Sequence, residues 1–138
     1  PSAPIFIDYT VNGTPIVGHP VSIDLNVTST LTDRPVTLNY RVVDTSALTF
    51  PEAQVRQVAV ARLDEGRPAI QQVTVVPQRE GRLYLNVTAE IETEDGMMLK
   101  SMAIPIQVGS APAEREVNGE IKKDADGDAI ESMPADDQ

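Results

Sequence analysis

Apolar residues recur at every second position through most of the first 109 residues, and that period limits the backbone to strands with one covered face. Val21, Ile23, Leu25 and Val27 share one side of a segment whose other side is Ser22, Asp24, Asn26 and Thr28. The same pattern sets Val36, Leu38, Tyr40 and Val42 against Thr37, Asn39 and Arg41, and Leu83, Leu85, Val87, Ala89 and Ile91 against Arg82, Tyr84, Asn86, Thr88 and Glu90. Met102, Ile104, Ile106 and Val108 oppose Ser101, Ala103, Pro105 and Gln107, and Ile5, Ile7, Tyr9 and Val11 form an opening strand. Less regular strands are expected at 55–63 and 69–76.

Turn-forming groups fall between these segments: Asn12-Gly13, Gly18-His19-Pro20, Asp33-Arg34-Pro35, Asp64-Glu65-Gly66, Glu80-Gly81 and Glu94-Asp95-Gly96. Glu94-Asp95-Gly96 is the best hairpin signal, because glycine supplies a positive φ. No window holds a helical period. The expectation is an all-β protein, an immunoglobulin-like antiparallel sandwich of about seven strands.

The run from Glu80 to Val87, followed by Ala103 to Gly109, resembles the last two strands of bacterial immunoglobulin-like and fibronectin-III-like domains. There a glycine precedes an aromatic residue near the start of the penultimate strand. The resemblance implies a sandwich module for residues 5–109, with Tyr84 in the place of the tyrosine-corner residue, and it carries over no catalytic residue. The Cys and Trp set of antibody-type domains is missing, since the chain has neither residue.

Charge divides the chain. Residues 1–109 hold 12 acids and 8 bases, a balance of −4, whereas 110–138 hold nine acids and three bases, a balance of −6 in 29 residues. A domain over 1–109 with an acidic extension over 110–138 follows, the extension being either disordered or a hairpin that pairs Glu116–Lys123 with Asp128–Met133. A net charge of −10 argues against nucleic-acid partners, which are held by basic patches. The longest uncharged stretch, Tyr9 to Ile23, is broken by glycines and prolines, so no transmembrane helix is expected. The Pro-Ser-Ala-Pro start is read as a processed mature form or a cut fragment, with the periplasm or cell surface as its setting.

Catalytic equipment is sparse. Zero cysteines remove disulfides, thiolate sites and cysteine nucleophiles, and His19 is the one histidine, placed in a turn without a partner. Carboxylates such as Asp24, Glu90 and Glu92 fall on solvent faces, where solubility explains them better than paired-acid catalysis does. Asp124, Asp126 and Asp128, with Glu131 beyond, match the first acids of a calcium loop. Ala129 stands where such a loop needs glycine, and Ala135 where it needs a bidentate Glu, so an Asp-Gly turn is the simpler account and no metal is expected. Asn12, Asn26 and Asn86 begin Asn-x-Thr triplets, which threonine-rich strands also generate by chance. Met97, Met98 and Met102 could form a soft contact surface, but filling core and turn is the favoured reading.

The leading expectation is a non-enzymatic structural or protein-binding module of an exported bacterial protein, without cofactor, meeting its partner through loops or sheet edges by strand addition. A filament or pilus subunit is the second reading, and an accessory domain of a larger secreted enzyme the third. With no Trp and three Tyr, a sugar-binding platform is disfavoured.

Overall fold

In the computed structural model, which describes residues 4–31, 33–60 and 67–109, two four-stranded antiparallel sheets face one another. In chain order the strands are β1 (Ile5–Val11), β2 (Val21–Ser29), β3 (Val36–Arg41), β4 (Leu48–Thr49), β5 (Gln57–Val60), β6 (Ala69–Pro77), β7 (Gly81–Thr93) and β8 (Gly96–Val108). One sheet runs β1-β2-β6-β4 and the other β5-β3-β7-β8. No helix among the described residues is long and apolar enough to cross a membrane. The expected all-β, immunoglobulin-like sandwich is what the chain forms.

The alternating rows make the core. Val21, Ile23, Leu25 and Val27 of β2, Val36, Leu38 and Tyr40 of β3, Leu83 through Ile91 at odd positions of β7, and Ile104, Ile106 and Val108 of β8 are all buried. Val42, Tyr9, Val11 and Met102 pack against that core while remaining half-exposed. Register follows from burial, since a slip of one residue would turn a whole row into water. Leu85 therefore lies opposite Ile104, and Leu38 opposite Ala89.

Three details depart from the expectation. Among the described residues there are eight strands, because Leu48–Thr49 pairs with β6 at Pro77 and Val76. The strand expected at 55–63 is shorter at its start, running from Gln57 to Val60 beside β3, and residues 61–66, including the Asp64-Glu65-Gly66 turn, lie outside the described residues. Met97 and Met98 are exposed rather than core or turn filler. The reason is positional. They belong to the part of β8 nearest the β7–β8 turn, where Gly96 to Leu99 are all exposed and burial begins only at Ile104.

Tyr40 is 4% exposed, and its hydroxyl has no hydrogen-bond partner among the described residues. Burial pushes its phenol above the ordinary value of 10.0, since ionisation there would place a charge away from water. Removing an unsatisfied hydroxyl recovers desolvation free energy. Tyr40→Phe is therefore expected to be as stable as the parent, or more so by up to about 1 kcal/mol, in denaturant melts at pH 7. A folded pKa raised above the unfolded one gives stability that is complete below pH 10 and lost as pH rises through the folded value. The variant should lose less stability than the parent above pH 10; a larger loss, or a clear loss at pH 7, would mean the hydroxyl is bonded.

Candidate protein interface

Each sheet of an open sandwich ends in strands with one unpaired side, and the outer strands β1 and β8 lie next to each other across the sandwich. In β1 the ladder to β2 is bracketed by two bonds, Thr30 N–H to the Pro4 carbonyl (2.9 Å) and Asn12 N–H to the Ser22 carbonyl (2.9 Å). Antiparallel bonding alternates, so Phe6, Asp8 and Thr10 bond β2 while the backbone of Ile5, Ile7 and Tyr9 points to the open side.

In β8 the turn sets which residues bond β7. Its turn is the two residues Glu94 and Asp95, closed by the Thr93–Gly96 pair, and counting in twos from Gly96 assigns the even residues to the β7 ladder. Pro105, which has no N–H, then falls at an odd position facing outward, the place where an edge strand tolerates proline. Met97, Leu99, Ser101 and Ala103 consequently present backbone N–H and C=O groups to the open side. The turn is held by Thr93, whose Oγ1 donates to the Gly96 carbonyl (2.7 Å) and accepts from Asp95 N–H (3.1 Å). Gly96 has φ +113, which a side chain would resist.

The side chains of this edge are apolar where solvent-facing strands are ordinarily polar. Met97 is 59% and Leu99 62% exposed, Met98 is also exposed, and Phe6 of β1 is 58% exposed. Lys100 links the two strands by placing its Nζ 5.6 Å from the centre of the Phe6 ring, within cation–π range. Isolated exposed apolar residues are unremarkable, and Ile70 on the opposite sheet is one. The β1/β8 side differs because Met97 and Leu99 coincide with unpaired backbone and have exposed Met98 and Phe6 beside them.

Acid groups surround the apolar end. Glu92 lies opposite Met97 and Glu90 opposite Leu99, with Glu94 and Asp95 in the turn. Arg34 Nη1 donates to the Glu92 carbonyl (2.8 Å) rather than to a carboxylate. Glu90 Oε2 accepts from Asn39 Nδ2 (3.0 Å), whose Oδ1 accepts from Gln57 Nε2 (2.7 Å). Thr88 and Ser101 share a hydroxyl bond of 3.0 Å. These bonds link side chains across the outer face of the sheet, where a shallow groove lies over Asn39, Arg41, Asn86, Thr88, Glu90 and Ser101.

The other residues singled out from the sequence are scattered. His19 is exposed in a turn where its N–H donates to the Ile16 carbonyl (3.1 Å). Asp24 accepts from Gln72 Nε2 (3.1 Å), a cross-strand bond within one sheet. Asn26 and Asn86 sit mid-strand on outer faces and Asn12 follows β1. Tyr84 is exposed on the outer face opposite Pro105. Asp124, Asp126, Asp128 and Glu131 lie outside the described residues, as does the expected tail hairpin. Among the described residues no group of three or more His, Asp or Glu side chains could hold a metal ion. A cavity of about 210 Å³ lies beside Tyr40, lined also by Arg41, Phe50 and Arg56, with the Arg56 guanidinium 4.9 Å above the Phe50 ring.

The sequence offered Met97 and Met98 as a soft contact surface only as the lesser reading, although a stronger signal for the exposed edge existed. Met97 and Leu99 fall on the same parity as Ser101, Ala103 and Gln107, so apolar groups stand in a row that the alternation assigns to solvent.

No family model matches the chain, and no curated protein matches it. Among solved structures it is similar to AggA, the major subunit of aggregative adherence fimbriae type I from Escherichia coli, at 12% identity and a TM-score of 0.41. That match covers 75% of this chain and 93% of the other. A likeness at this level carries no role from one protein to the other.

Proposed function

We propose that this chain is a non-enzymatic immunoglobulin-like module of an exported bacterial protein, working in the periplasm or at the cell surface, that holds a protein partner along its β1/β8 side. The observation that carries the reading is the coincidence of unpaired backbone on β8 with exposed Met97 and Leu99, next to exposed Phe6 of β1. An edge of this kind offers main-chain bonds for affinity and side-chain rows for selectivity. Natural sandwiches ordinarily blunt such an edge. Here Pro105 interrupts only its lower half, leaving 97–103 without proline.

A second reading, a subunit of a surface filament, is favoured by the open sides of β1 and β8 lying next to each other, since a strand from a neighbouring copy could enter between them. Site-specific photo-crosslinking in the native host tests both. A photoreactive residue at Leu99 is expected to give a discrete adduct that the same residue at Ile70, equally exposed on the other sheet, does not. One heavier adduct of fixed mass supports the module, and a ladder in multiples of this chain's own mass supports the filament. Equal adducts from both positions would overturn the edge as an interface.

A further inference from the structure

We infer that the segment adding to β8 is extended, with apolar residues on one side and lysine or arginine on the other. This rests on the β1/β8 side being the interface, and it names the chemistry of what binds there. A strand beside β8 would bond Met97, Leu99, Ser101 and Ala103 through their outward backbone groups. It would lie about 4.8 Å from β8 and about 9.6 Å from β7, by the ordinary strand spacing. On the outer face its side chains meet first Met97 and Leu99, and one strand further in, Glu92 and Glu90, which lie opposite those residues.

Only a side chain with an apolar stem and a charged head answers both rows at once. Lysine and arginine cover apolar surface with their methylenes while the cation stays in water. Laid over Met97 and Leu99, they bring their heads toward Glu92 and Glu90. On the other side of the added strand, apolar residues meet Met98 and the Phe6 ring across the gap to β1. Local charge agrees: Glu90 to Lys100 holds four acids, against Lys100, which is engaged with Phe6, and Arg34, whose guanidinium is bonded to the Glu92 carbonyl.

Charge also ranks the competing occupants. The chain's own 110–138 segment holds nine acids against three bases, and a second copy would bring the same acidic turn. Both meet like charge at this edge. A basic partner segment meets the opposite sign, and its encounter would be steered by the net −10 of the chain.

Amide hydrogen exchange on the full chain, alone and with two nine-residue peptides, tests the inference. One peptide alternates valine with lysine and the other valine with glutamate. Alone and dilute, the amides of Met97, Leu99, Ser101 and Ala103 should exchange fast while those of Met98, Lys100 and Met102 are protected by β7. Saturating lysine peptide should slow the first set by at least about tenfold, and the glutamate peptide should not. Glu90→Gln with Glu92→Gln should weaken the lysine peptide by roughly tenfold, the scale of two surface ion pairs. Ser101→Pro, which removes an outward N–H, should abolish protection, while Ser101→Ala, which keeps it, should bind as the parent does. Equal protection by both peptides would overturn the charge recognition and leave the edge as an interface. Protection that grows with protein concentration would replace the basic segment with a second copy. Fast exchange under both peptides, or protection already present in the dilute monomer, would overturn the inference together with the interface it rests on.

Discussion

Leu85→Ala should lose about 2–5 kcal/mol of folding stability, and Ile23→Ala a loss in the same range. Both side chains are fully buried, one on β7 and the other on β2, in opposite sheets. Leu85 lies opposite Ile104, on a strand covered on one side by β3 and on the other by β8. Ile23 is flanked by Val11 of β1 and Val73 of β6. Each truncation removes apolar contacts and leaves a space that the surrounding strands, fixed by their ladders, close only in part. Urea titration should show the midpoint falling with its slope unchanged, the mark of lost stability rather than an altered unfolded state. Either variant unfolding at the parent's midpoint would mean that its row faces water and that the register is off by one. Asn86→Ala, one residue along from Leu85, and Asn26→Ala, three along from Ile23, both on outer faces, serve as controls and should change stability by no more than about 0.5 kcal/mol.

How far these rows were legible depended on what covers them. A strand between two others, facing a second sheet, must alternate, and β2, β3 and β7 wrote that requirement into their residues. Edge strands are less constrained. In β5 only Val60 is buried, so Gln57–Val60 carries too little pattern to fix its ends. The first residues of β8 show the converse. They are strand because β7 pairs with them, yet Gly96 to Leu99 are all exposed, so neither burial nor polarity marks a face there. Methionine in such a place reads as core filler unless its parity is checked against Ser101 and Ala103. The acidic row beside it was visible, but sequence alone sets Glu90 and Glu92 only on a solvent face. It is the pairing with Leu99 and Met97 that turns them into neighbours of an apolar edge.

The strand that sequence reasoning overlooked should prove as important as those it found: Leu48→Ala is expected to cost about 2–5 kcal/mol, no less than Leu85→Ala. Two residues cannot show a period, and Asp44-Thr45-Ser46 ahead of them signals a turn. Yet Leu48 is fully buried. Its position is built from several local bonds. Asp44 Oδ1 accepts from Ser46 N–H (3.0 Å) and from the Ser46 hydroxyl, and these bonds hold its carboxyl below the ordinary range. The Asp44 carbonyl accepts from the N–H of Ala47 (3.0 Å) and Leu48 (3.2 Å), and the Ala47 carbonyl from Gln78 N–H (2.7 Å). The chain thus leaves β3, crosses to the other sheet beside Pro77, and returns to β3 as β5. With its backbone held at both ends, the segment cannot collapse into the space that a lost leucine side chain leaves, so the cavity term should apply in full. If Leu48→Ala instead melts as the parent does, the crossing is a surface loop and the first sheet has three strands rather than four. Asp44→Ala separates the two effects. It removes the bonds that shape the turn while keeping the leucine, and should cost clearly less than Leu48→Ala if burial of that side chain is what holds β4 in place.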